Sequence, residues 1–91
     1  MTMNDLFRVR YDSASDVLYV TTSNYGPAYG EEAEPGVFWR YLDVDDTLVG
    51  MTVVDYKAYW GSRFQSLIEQ FSEHFHLPRS EAMEVLKIAN V

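Results

Sequence analysis

The side chains best placed to do chemistry fall into four short groups. Asp12 and Asp16 stand four residues apart across Ser13-Ala14-Ser15. Two carboxylates so close can hold a cation or divide acid and base work between them. The same stretch is turn chemistry, because Asp and Ser side chains bond nearby backbone groups, and making a turn is the simpler expectation. Asp43, Asp45 and Asp46 begin like a calcium loop. They lack its glycine and its distal bidentate glutamate. Glu73, His74 and His76 read as ligands in a row, yet on a helix positions i and i+2 do not share a face. A histidine at a helix C-terminus more simply meets the dipole there. Arg8, Arg10 and Arg40 fall on one face of a sheet if their strands alternate, where they could bind an anion. Cross-strand pairing with acids is the competing expectation. No serine and histidine pair into a nucleophilic triad, no glycine-rich phosphate loop exists, and the chain has no cysteine. No catalytic, cofactor-binding or metal-binding residue is assigned.

Hydrophobic periodicity gives the elements that must position these groups. Leu6 to Tyr11 alternates, with Phe7, Val9 and Tyr11 on one side and Arg8 and Arg10 on the other, the period of a strand. Val17 to Thr22 is rich in β-formers and carries apolar residues on both sides, which predicts a strand covered on both faces. Ser23 to Gly36 is irregular. It reads as a turn at Tyr25-Gly26-Pro27, an edge strand from Ala28 to Ala33 guarded by Glu31 and Glu32, and a type II turn at Pro35-Gly36. Val37 to Leu42 and Leu48 to Tyr56 are two further strands, separated by Asp43-Val44-Asp45-Asp46. In the last strand Val49, Met51 and Val53 face one side, and Gly50, Thr52 and Val54 the other.

Beyond Trp60 the period lengthens. Phe64, Leu67, Ile68, Phe71 and Phe75 form one apolar helical stripe. Ser62 and Gln65 have capping-box spacing, so the helix is expected from Arg63 to about His76, where Pro78 disfavours its continuation. Ser80 caps a second helix from Glu81 to about Ala89, with Ala82, Val85, Leu86 and Ala89 inward. Strands followed by helices define an α+β fold: an antiparallel four- to five-stranded β-meander, then two C-terminal helices, the longer packed on one sheet face. Residues 1–91 are expected to form a single domain, with 1–60 the sheet portion and 62–91 a helical tail.

Once the strands are placed, a resemblance becomes visible. Tyr11-Asp12, Asp16-Val17-Leu18-Tyr19-Val20, Glu31-Glu32, Pro35-Gly36-Val37, Leu48-Val49-Gly50 and the alternation through Val53 resemble the domain-of-unknown-function family 2283 over about residues 7–56. Its members are small bacterial and archaeal proteins. The family usually has a glycine in the last hairpin turn, where this chain has Asp45-Asp46-Thr47. The tail from Ser62 lies outside the resemblance. Some members lie beside genes for small toxin-like proteins, so the resemblance admits an antitoxin-like role, and it carries over no catalytic residue.

Composition narrows the function classes. Nearly half the residues are hydrophobic, which argues for a packed globule rather than disorder. Fourteen acids against seven bases leave a net charge of −7, which repels phosphate backbones and disfavours nucleic acid as a partner. No apolar stretch is long enough to span a membrane, and no signal peptide is evident, so the expected location is cytoplasmic. The reading that remains is an acidic protein-interaction module, a homodimer that can also meet a basic protein. Phe38 and Leu42 lie opposite Val37, Trp39 and Tyr41, so both sheet faces are partly apolar. Either the second helix crosses to the far face or a second copy covers it. A small-molecule binder using Tyr25, Tyr29, Trp39, Trp60 and the arginines is the alternative, and an enzyme ranks last. The candidate interface and binding residues are Phe38, Leu42, Arg8, Arg10, Arg40, Trp39 and Trp60.

Overall fold

The computed structural model describes residues 7–24 and 26–87. Five strands, β1 (Phe7–Asp12), β2 (Val17–Thr22), β3 (Ala28–Glu34), β4 (Val37–Leu42) and β5 (Leu48–Val54), precede two helices, α1 (Phe64–Phe75) and α2 (Arg79–Lys87). The sheet is antiparallel throughout, in the order β1-β2-β5-β4-β3. The expected α+β architecture is therefore present, with one refinement of the meander. The link from β2 to β3 leaves a slot, and β5 returns to fill it.

Local chemistry sets the reversals. Asp16 closes the first hairpin in a left-handed conformation (φ 58°), and Asp46 does the same between β4 and β5 (φ 60°). Asp is among the few residues besides glycine that tolerate this region. Asp46 thereby fills the role of the glycine usual in that turn. Gly36 has φ 87°, as the third position of a type II turn requires.

The period-two pattern sorts the strands into two faces. Leu18, Val20, Val37, Trp39, Met51 and Val53 are fully buried on one of them. They form one core with Leu67, Ile68 and Phe71 of α1 and Ala82, Val85 and Leu86 of α2. Phe71 packs against Phe7 and Phe75 with ring centroids 5.3 and 4.8 Å apart. Both helices thus lie on the same side, and α2 does not cross to the far face. Arg79 ties the two helices together through Glu69 (2.7 Å) and Gln65. Ala89, expected on the inner face of α2, lies outside the described residues.

Four expectations change, the first at α2, which begins at Arg79 and so takes Ser80 into the helix instead of leaving it as the cap. Val17 and Tyr19 are only half-buried, so β2 is covered on one face and not on both. A bulge pairs Tyr41 with Leu48 but Arg40 with Gly50, leaving Val49 as the extra residue. Val49 consequently lines a hollow beside Arg40 instead of following Met51 into the core. Ser62 sits inside a 3-10 turn, Gly61–Arg63, and α1 starts at Phe64 with no side-chain cap, so the capping box does not form. The other end follows expectation: His76 turns left-handed (φ 55°), and its N–H bonds Ser72 O ahead of Pro78.

Candidate functional site

The face turned away from the helices carries most of the residues the sequence singled out. Residues directly opposite in a ladder share a face, so the pairing defines rows across the sheet. One row runs Arg10, Tyr19, Thr52, Phe38, Glu32. The next runs Arg8, Thr21, Gly50, Arg40, Gly30. On the other side of the first row, Val17 pairs with Val54. Among the described residues no helix or strand packs over these rows. Arg8, Arg10, Thr21 and Glu32 are exposed, and Tyr19, Phe38, Arg40 and Val54 are half-buried.

This open face has two ends. At one, a cleft of about 350 Å³ is walled by Phe38, Tyr59 and Trp60 and edged by the carboxylates of Glu32 and Asp55. Glu32 Oε2 accepts the Gly36 N–H at 3.0 Å, which fixes the carboxylate at the lip. Arg63 covers one side of the Tyr59 ring at 4.1 Å. At the other end, Arg8 and Arg40 line a second hollow with Thr21, Thr22 and Asn24. Between the ends, the guanidinium of Arg10 lies over the Tyr19 ring at 4.3 Å.

The loop that carries Tyr59 and Trp60 is held by the first hairpin. Asp16 accepts the backbone N–H groups of Lys57 (2.9 Å) and Ala58 (3.0 Å), and the Tyr11 hydroxyl donates to it at 2.7 Å. Those bonds favour the carboxylate and hold the Asp16 pKa below its usual range, the Lys57 N–H contributing most. The same bond to Asp16 pushes the Tyr11 hydroxyl up to about 12. Asp12 is lowered by its bonds within the turn, Ser15 first. The two aspartates thus serve as a turn and a clamp. Asp45 accepts the Thr47 N–H at 3.0 Å, and Asp46 accepts the Tyr29 hydroxyl at 2.8 Å, which pushes that phenol up to about 12. Among the described residues no three His, Asp or Glu side chains converge as metal ligands.

The candidate residues divide clearly. Phe38, Arg8, Arg10 and Arg40 share the open face. Leu42 is buried, with a Cδ methyl close against Gly26, and offers little surface. Trp39 belongs to the opposite face, 1% exposed and stacked on His74 with centroids 3.7 Å apart. Trp60 is buried in the wall of the cleft. The indole nitrogens of both tryptophans are buried without a hydrogen-bond partner. Tyr29 stacks on Tyr41 at the β3 edge, and Tyr25 lies outside the described residues. The expectation that sheet arginines pair with acids is not met: the ion pair found among the described residues is Arg79–Glu69, on the helices. Sequence reading missed Asp55 and Tyr59. They reach the cleft because Asp55 turns the chain left-handed (φ 56°) directly after β5; the polar residue ending that apolar run was the available signal.

These rows and turns fall within one recognisable family. The family model described as a protein of unknown function (DUF2283) matches residues 8–57, more than half of the chain, and the chain belongs to that family. The match covers the sheet from Arg8 onward and ends inside the loop clamped by Asp16; both helices lie beyond it. No curated protein and no solved structure matches the chain. No helix among the described residues is long and apolar enough to cross a membrane.

Proposed function

We propose that this chain is a protein-interaction module whose open sheet face pairs with a second copy of itself. One observation carries the reading. The row Arg10, Tyr19, Thr52, Phe38, Glu32 has a cation at one end, a carboxylate at the other and aromatic rings between them. A two-fold axis parallel to the strands and beneath β5, the central strand, turns this row onto itself in reverse. Arg10 of each copy then meets Glu32 of the other, and Phe38 meets Tyr19. A closed two-fold contact needs one patch that is complementary to itself, and this row is such a patch.

Size supports the involvement of more than the strands. Five strands at about 4.8 Å spacing and six residues of about 3.3 Å each give roughly 500 Å² of projected face. Two such faces total about 1,000 Å², short of the roughly 1,200–2,000 Å² that specific interfaces bury in total. Tyr59, 49% exposed at the rim of the cleft, extends the surface in the right direction. A basic protein is the other occupant that a net charge of −7 would favour. Light scattering at micromolar concentration separates the two. Pairing requires twice the 10.5 kDa chain mass for the wild type and one chain mass for Phe38→Glu. A wild-type mass of one chain would leave the face to a different partner and defeat the pairing.

A further inference from the structure

The hollow at the other end of the open face lies away from the cleft and asks for a ligand of its own. Its volume is about 260 Å³. Arg8 and Arg40 line it with Thr21, Thr22 and Asn24, and among the described residues no carboxylate does. In a chain with fourteen acids and seven bases, that is an unusual piece of surface. Arg40 is half-buried, and its Nη2 donates to Ala28 O at a long 3.4 Å. That contact uses one of five guanidinium N–H donors. Arg8 meets no acceptor among the described residues' hydrogen bonds. Two like charges sharing one concave surface repel each other unless an anion lies between them.

The sheet makes the room. Thr21 and Gly50 stand between Arg8 and Arg40 in their row, and Gly50 has no side chain to fill the gap. A Cβ at Gly50 would lie 2.8 Å from Val20 O, so the backbone packing demands glycine and the hollow follows from it. The bulge places Val49 in the wall, which keeps part of the lining dry. The polar lining is then two guanidinium forks with two threonine hydroxyls and one amide, a set dominated by donors.

We infer that Arg8 and Arg40 form a two-pronged site for a phosphate monoester on a small molecule. Two fixed positive charges match the roughly dianionic charge of a phosphate monoester near neutral pH better than the single charge of a carboxylate. The hollow is smaller than the usual range of about 300–1,000 Å³ for ligand pockets, which fits one oxyanion group and a few carbons. The inference goes beyond the pairing reading; because pairing as drawn would bring the two hollows into the contact, the titration is made on chain diluted until light scattering gives one chain mass.

Calorimetric titration with inorganic phosphate tests the site, at ionic strength matched with chloride. The expected result is saturable binding of one phosphate per chain, with acetate weaker. Arg8→Ala and Arg40→Ala should each weaken it about tenfold or more, the effect of losing charge-assisted hydrogen bonds. Lys87→Ala, an exposed base in the last turn of α2 and not in the hollow's lining, should leave it unchanged. Arg40→Lys keeps the charge and loses the fork, so intermediate binding by this variant supports the site even if Arg40→Ala fails to fold. Three results would overturn the inference: no saturable binding to the single wild-type chain, binding that survives both alanine substitutions, or equal weakening by Lys87→Ala. Failure of the pairing reading shows separately, in the wild-type mass at micromolar concentration, and leaves this titration to be read as it stands.

Discussion

The two faces of the sheet come from the same five strands and were built to different specifications. On the helix side, Leu18, Val20, Val37, Trp39, Met51 and Val53 are fully buried, and Tyr41 and Leu48 pack half-buried against them. On the open side, valines and aromatics alternate with arginine, threonine, glycine and glutamate, and most stay half-exposed. The helix side therefore supplies the folding energy and the open side the surface chemistry. That division predicts how substitutions should sort: inward changes cost stability, and outward changes cost assembly or ligand binding with little loss of fold.

The largest effect should come from the helix side. Phe71 is fully buried between Phe7 and Phe75, so Phe71→Ala should cost about 3–5 kcal/mol in denaturant melts. A loss below about 1 kcal/mol would erase the contrast, since Phe71 would not then be core. Gly50 joins the faces and should rank second. Its Cβ would crowd a backbone carbonyl that cannot rotate away, so Gly50→Ala should cost roughly 1–3 kcal/mol. Gly36→Ala should follow at about 1 kcal/mol, because φ is 87° and the new Cβ would sit 3.3 Å from Val54 O. A neutral Gly36→Ala would show that the turn relaxes.

The clamp at Asp16 sharpens the comparison through pH. Its folded pKa lies below its ordinary value of 3.8, so the stability it contributes is present above that value and is lost as pH falls through the folded pKa. Tyr11 runs the other way. Raised from 10.0 to about 12, it contributes stability that is full below pH 10 and is lost as pH rises towards 12. Thermal melts across pH should show both losses in the wild type. Asp16→Asn should flatten the acid loss, and Tyr11→Phe the alkaline one. An unchanged acid profile in Asp16→Asn would mean that the clamp does not hold the loop.

Much of this contrast was legible in the sequence, for reasons that also mark where legibility stopped. Period-two alternation reports facing directly, so Arg8, Arg10, Arg40 and Phe38 could be assigned to one side before any strand was paired. The apolar stripe of α1 was equally plain, since five large residues recur at helical spacing. Strand order was not legible, because the link between β2 and β3 fits a return beside β2 as well as the gap that β5 fills. The bulge at Val49 left no mark, as a valine suits either register. The cleft was hidden for a different reason. Its walls join a strand to a loop, and that loop is fixed by Asp16, some forty residues earlier in the chain. Local pattern carries no record of a contact so distant in sequence.

The central claim is that the open face meets its own copy with Arg10 against Glu32. Light scattering on complementary charge reversals tests it most directly. Arg10→Glu alone places like charges at both symmetry-related contacts, and so does Glu32→Lys alone, so each should run as a single chain. Mixed in equal amounts, they should recover twice the 10.5 kDa mass, because every contact in the mixed pair is again opposite in charge. Single variants that remain paired, or a mixture that stays at one chain mass, would contradict the claim.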